Sequence, residues 1–283
     1  MPEKIITIYC FFDELLKALG HKDDVQAQLC TAEIMTVALV AAEFFTGNQQ
    51  AALNFLSSHH YIKPFSKSRF NRRMHRIPES LWQFALSALA QLHQQANPER
   101  LHLVDTFPVP ACRNIRIKRC KIYRDKRDPA FREAFRGYCA SKKEYFFGLK
   151  VSLVVTQAGE PVEMLLVPGS TADITALRSM DLNLPDGSTL FGDSGFLDTE
   201  FETALREEAG LRLVVPRRSN MKEQLDGCLE YVCRVRRKRV RRKQVETTFS
   251  QLSERLARSI HAVTARGFEL KVMLTVLAFS LVG

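Results

Sequence analysis

The chain has 283 residues, 46% of them hydrophobic, which is enough for a packed core and too apolar for a disordered chain. Lys and Arg number 41 against 31 Asp and Glu, and a formal charge of +10 favours a polyanionic partner. The longest apolar runs, Ile34–Ala42 and Val272–Phe279, are shorter than the roughly 18 residues of a membrane-spanning helix, so no membrane partner is expected. Glu3, Lys4 and Asp13 interrupt the N-terminus, unlike a signal peptide. The seven cysteines are odd in number and lack a C-x-x-C pair, so they read as free thiols rather than a zinc ribbon.

Residues 1–96 read as an all-α N-terminal domain. Ile8, Phe11, Phe12, Leu15, Leu16 and Leu19 recur at helical spacing, and Gly20 follows as a C-cap. A second helix is expected from about Asp24 to Phe45, ended by Gly47, and a third over Gln49–Ser58. Pro64 marks a turn, Ser66 is a good N-cap for a basic helix over Lys67–Ile77, and Pro78 leads into a helix from Glu79 to about Gln95. The pair Gln49–Ser58 and Lys67–Ile77 suggests a helix-turn-helix whose Lys67, Arg69, Arg72 and Arg73 contact DNA. An ordinary solvated basic face is the plainer alternative.

Ala96–Glu99 is the expected boundary, and residues 97–283 form the second domain. Strands are expected at Leu101–Phe107, Tyr145–Thr156 and Pro161–Val167, the latter two joined by a Gln157-Ala158-Gly159 turn. A helix at about Asp173–Met180 follows, with Ser170 and Asp173 at capping-box spacing. Then come a strand at Ser188–Phe191, a helix from Thr199 to Ala209 ended by Gly210, and a strand at Leu211–Val215. A long helix over about Lys243–Ile260 and a last helix from Phe268 complete the chain. This order of elements is that of a ribonuclease-H-like α/β domain with a mixed five-stranded sheet.

Asp105 and Asp193 each end a short apolar strand, where a carboxylate is costly unless hydrogen-bonded, exposed or cation-bound. Taken singly, each is a plain turn Asp as readily as a ligand. Glu246 lies about 80° from the centre of the stripe Val245, Phe249, Leu252, Leu256 and Ile260, at the border of core and solvent. Together the three could hold two divalent ions for in-line phosphodiester chemistry, with Mg²⁺ preferring such oxygen ligands.

Several segments in order carry a resemblance: Val104–Pro110, Tyr138–Lys150, Pro168–Asp173, Phe191–Phe196, Val245–Gln251 and Ser259–Val272, with Ser68–Arg73 nearer the N-terminus. In these the chain resembles the DDE transposases of bacterial insertion sequences, most closely the insertion-sequence 982 family. The resemblance implies Asp105, Asp193 and Glu246 as catalytic metal ligands and Mg²⁺ (or Mn²⁺), two ions, as cofactor. It implies cleavage and strand transfer on double-stranded DNA, at element ends and target, by a homo-oligomer at the bacterial nucleoid in the cytoplasm. A related group has Tyr, Arg and Lys around the Glu. Arg242 fits the Arg place, whereas Arg239 and Ser253 stand where Tyr and Lys would be.

Two basic runs lead away from and into these acids. Arg113, Arg116, Lys118 and Arg119 belong to the first, and Arg239, Arg242 and Lys243 to the second, with Lys142 and Lys143 as additions. Each phosphate contact from them would add salt-sensitive affinity. Two other classes of function fit the residues alone. One is a non-catalytic DNA-binding regulator, indifferent to the acids, and the other a structure-selective nuclease that cuts without joining.

Overall fold

The computed structural model describes residues 1–112, 114–124, 128–139, 143–217, 239–257 and 260–283, with backbone alone at 129, 239–246 and 257. The chain divides into two compact units. One comprises residues 1–89, 260–262 and 266–283, and the other residues 90–259 and 263–265. The division thus falls inside a helix rather than at Ala96–Glu99, and the last helix joins the first unit rather than the second.

The first unit is helical: α1 (Pro2–Ala18), α2 (Thr31–Phe44), α3 (Gln49–Ser58), α4 (Lys67–Arg76) and most of α5 (Glu79–Gln95), with the chain's final helix. Its core follows the expected periodicity, with Ile5, Ile8, Phe12 and Leu16 of α1 buried. Phe12 meets Trp82 edge to face at 6.0 Å. The expected second helix starts seven residues late, at Thr31 instead of Asp24. Local hydrogen bonding decides this. Asp23 accepts from the Thr31 N–H and hydroxyl, and Cys30 with Glu33 closes a capping box. Ser66 does cap α4, accepting from Arg69 N–H.

The second unit is a mixed sheet with helices. Its elements are β1 (Leu101–Cys112), α6 (Pro129–Glu133), β2 (Arg136–Cys139), β3 (Glu144–Thr156), β4 (Pro161–Pro168), α7 (Asp173–Arg178), β5 (Thr189–Phe191), α8 (Thr199–Glu208), β6 (Arg212–Val214) and α9 (Arg239–Ala257). The final helix, α10 (Ala265–Val282), lies in the first unit apart from its first residue. Among the described residues the sheet has six strands where five were expected, because β2 is added as a short partner of β3. β3 pairs antiparallel with β1 along one edge and with β2 and β4 in succession along the other. On the far side of β1, β5 and then β6 run parallel to it.

β1 is longer than the expected Leu101–Phe107 and runs through Pro108 and Pro110. Proline is tolerated on a strand whose N–H has no ladder partner. Here β5 pairs only with Leu101–Leu103, and among the described residues the rest of that edge has no strand neighbour. Opposite Pro110, β3 approaches so closely that a Cβ on Gly148 would sit 2.2 Å from the Val109 carbonyl oxygen. Glycine alone fits there.

One face of the sheet is packed by Ala90 of α5, Leu177 of α7, Phe196 of the 3₁₀ turn after β5 and Leu205 of α8, against Val104, Val154 and Leu190. Alternate residues of β1 face opposite sides, so Asp105, Phe107 and Val109 share the other face. α9 covers that face, with Phe249 set against Phe107 at 6.2 Å and Leu252 and Leu256 buried. Among the described residues, no helix is long and apolar enough to cross a membrane.

Candidate active site

Leu103 and Phe191 form the last pair of the parallel β1–β5 ladder. Asp105 and Asp193 each follow two residues later, so the register of the two strands puts both carboxylates off the same end of the ladder. Asp193 ends the strand by capping a 3₁₀ turn, accepting from Gly195 N–H at 2.8 Å. Asp105 accepts from the N–H of Thr106 at 2.7 Å. Both are exposed and open to a substrate.

Burial of its surroundings, and then the charges of Asp193 and Asp173, push the Asp105 carboxyl up to about 6, while the Thr106 N–H pulls it down. Asp105 itself remains solvent-accessible.

Asp173 is the acid that reading the sequence misses. It was legible only as a helix-start residue. The expected capping box does not form: Ala172 is the N-cap, without a side-chain bond, and Ser170 donates to the Ala134 carbonyl instead. Asp173 accepts from the Thr106 hydroxyl at 2.7 Å and from Lys150 Nζ at 2.9 Å. Its Oδ2 and Asp193 Oδ1 lie 3.1 and 3.0 Å from the point where a Gly195 Cβ would be, so the missing side chain lets the two acids converge. Both Lys150 and Asp173 close segments that carry the family resemblance, and that position was the signal available.

Glu246 lies on α9, one turn before Phe249, and that ring docks on Phe107, two residues from Asp105. Its side chain is outside the described residues, as are those of Arg239, Arg242 and Lys243, and the whole of Arg113 and Lys142. Among the described residues, no group of three or more His, Cys, Asp or Glu is gathered to hold a metal ion. The two strand-end acids nevertheless suit one. They are exposed, hard oxygen donors, and a cation would offset the burial and the neighbouring negative charge that push the Asp105 carboxyl up.

The basic residues are more scattered. Arg116, Lys118 and Arg119 are exposed on a 3₁₀ helix that starts beyond Cys112. Because β1 extends so far, this run begins about 25 Å of extended chain past Asp105 instead of flanking it. Lys143 is exposed just before β3. In the first unit, Lys67, Arg69 and Arg72 of α4 are exposed, while Arg73 pairs with Asp23 at 3.4 Å. The link from α3 to α4, residues 59–66, is longer than the roughly 3–4-residue turn of a helix-turn-helix.

These features define a class: a mixed α/β domain that presents acids at the ends of two neighbouring parallel strands, with a helix docked beside them. Residues 95–262 match the family model "Transposase DDE domain", and the chain belongs to that family of DDE transposases. No curated protein matches it. Among solved structures, a cryo-EM structure of a piggyBac transposase synaptic complex with hairpin DNA is similar at 15% identity and a TM-score of 0.37. The similarity covers 79% of this chain but half the length of that one, and is too low to bear on the fold.

Proposed function

We propose that this chain is a transposase that cuts and joins DNA at the ends of its own insertion sequence, using divalent cations held by Asp105, Asp193 and Glu246. The observation that carries the reading is the register of β1 and β5, which sets Asp105 and Asp193 side by side in a chain of this family. The docking of α9 on the Asp105 face of β1 supports Glu246 as the third acid. The strand order, three antiparallel strands followed by two parallel ones on the other side, supports a ribonuclease-H-like fold. The ordered motifs support the insertion-sequence 982 family and a bacterial nucleoid location. DNA double strands at element ends and target are the substrates, and the pairing of two ends favours a homo-oligomer.

Mg²⁺ or Mn²⁺, when bound, supplies activation of the attacking oxygen and neutralises charge on the leaving one. The protein's part is to hold and orient. Asp105 and Asp193 present oxygen ligands on rigid strand ends, open to a phosphate. Lys67, Arg69 and Arg72 on α4, Arg116, Lys118 and Arg119 after β1, and Lys143 offer phosphate contacts that steady the duplex.

The test is incubation of the purified chain with DNA carrying candidate element ends, with Mg²⁺ or chelator, beside Asp193→Asn. Mg²⁺-dependent nicking at the end boundary, lost in the variant, is expected. Binding without cutting would favour a regulator, and cutting without end preference a structure-selective nuclease.

A further inference from the structure

Among the described residues, β1 beyond Leu103 has a strand neighbour on one side only, yet it carries Asp105 there. A strand edge that must hold a carboxylate within a fraction of an ångström needs a second anchor. A continuous set of bonds supplies one. Lys150, on β3, donates to Asp173 at 2.9 Å and to the Thr171 carbonyl at 2.7 Å. Asp173 in turn accepts from the Thr106 hydroxyl at 2.7 Å. Thr106 gives its own N–H to Asp105 at 2.7 Å. Thr106 and Asp105 face opposite sides of β1, so the set passes through the strand.

We propose that Asp173, with its charge balanced by Lys150, is a positioning residue that fixes the Asp105 carboxylate through Thr106. Lys150 is mostly buried, its side chain 16% exposed, and its ammonium balances the charge of the same Asp173 oxygen that accepts from Thr106. Outer partners of this kind orient ligating carboxylates, and their loss weakens metal binding by about 10–100-fold. A helix-capping role for Asp173 would instead affect stability alone. The inference rests on Asp105 being a metal ligand.

The experiment titrates Mn²⁺ into the full chain without DNA and reads free Mn²⁺ by electron paramagnetic resonance. Thermal unfolding is followed in parallel. Thr106→Val keeps the shape of the side chain and removes the hydroxyl, and Thr106→Ser restores the hydroxyl. Asp173→Ala removes the acceptor, and Asp105→Ala removes the ligand. We expect Thr106→Val and Asp173→Ala to bind Mn²⁺ about tenfold more weakly, Thr106→Ser to bind as the parent does, and Asp105→Ala to lose binding. Parent-like Mn²⁺ binding by folded Thr106→Val or Asp173→Ala, with Asp105→Ala defective, would overturn the positioning role and leave the metal site standing. A Thr106→Ser variant as weak as Thr106→Val would also overturn it. Unchanged binding by Asp105→Ala would overturn the metal-ligand reading itself.

Discussion

Replacing Asp105 with Asn should stabilise the fold while abolishing cleavage. Folding raises this carboxyl from 3.8 to about 6, so the folded chain holds the proton more tightly than the unfolded one between those values. The group's contribution is therefore full below about pH 4 and is lost as pH rises to 6. Taken whole, the shift is worth about 3 kcal/mol at pH 7. Asp105 is exposed, and solvent screening reduces this to about 1 kcal/mol. Asn removes the charge and keeps an oxygen for the Thr106 N–H. At pH 7 in chelator the variant should unfold roughly 2–4 °C higher than the parent. His102 titrates in the opposite sense over the same range. It is fully buried, burial lowers its pKa to about 4, and it destabilises the fold as pH falls below 6.5. The difference between variant and parent cancels the histidine and isolates Asp105. Urea unfolding at pH 4, 5.5 and 7 in chelator measures that difference, which should be near zero at pH 4 and largest at pH 7. Saturating Mg²⁺ should reverse it, because only the parent gains from binding. An Asn variant less stable than the parent at pH 7 in chelator, or a gap independent of pH, would refute the reasoning.

Other outcomes follow from single contacts. Glu202 and Arg217 form a nearly buried two-point ion pair at 2.9 and 2.5 Å. Glu202→Ala strands the guanidinium and should cost about 3–5 kcal/mol in urea unfolding, most of it recovered by adding Arg217→Met. Phe249→Ala opens the seat of α9 on Phe107 and should cost about 3 kcal/mol. It should also lower DNA cleavage far more than DNA binding, and a variant that cuts normally would dissociate α9 from the site. Arg72→Ala on exposed α4 should flatten the slope of log affinity for duplex DNA against log salt by about 0.9. An unchanged slope would remove Arg72 from the interface.

Much of the fold was legible because its signals are local. The strand at Tyr145–Thr156, the Gln157-Ala158-Gly159 turn and the caps at Ser66 and Gly210 depend on neighbours in sequence, and all stand where they were expected. Errors arose where a specific contact overrides the pattern, a local one at α2 and distant ones at β1 and β2. The chain from Asp24 has helical character, but Asp23 and Cys30 bind the start of α2 at Thr31 instead. Pro108 and Pro110 suggest the end of β1, and only the short reach of β5 makes room for them. β2 is four residues long and exists because β3 offers it an edge.

The candidate site divides in the same way. The sequence alone singles out Asp105, Asp193 and Glu246, because acids closing apolar segments, in an ordered set of family motifs, are visible without coordinates. It assigns no partner to Asp173 or Lys150, which stand 23 residues apart in the chain. Tertiary structure joined them, by pairing β3 to β1 and turning α7 back so that its first residue meets Thr106. Residue type and spacing determine which groups can do the chemistry. Which of them meet, and what each carboxylate's charge costs, depends on strand register and on how much water the packed elements exclude.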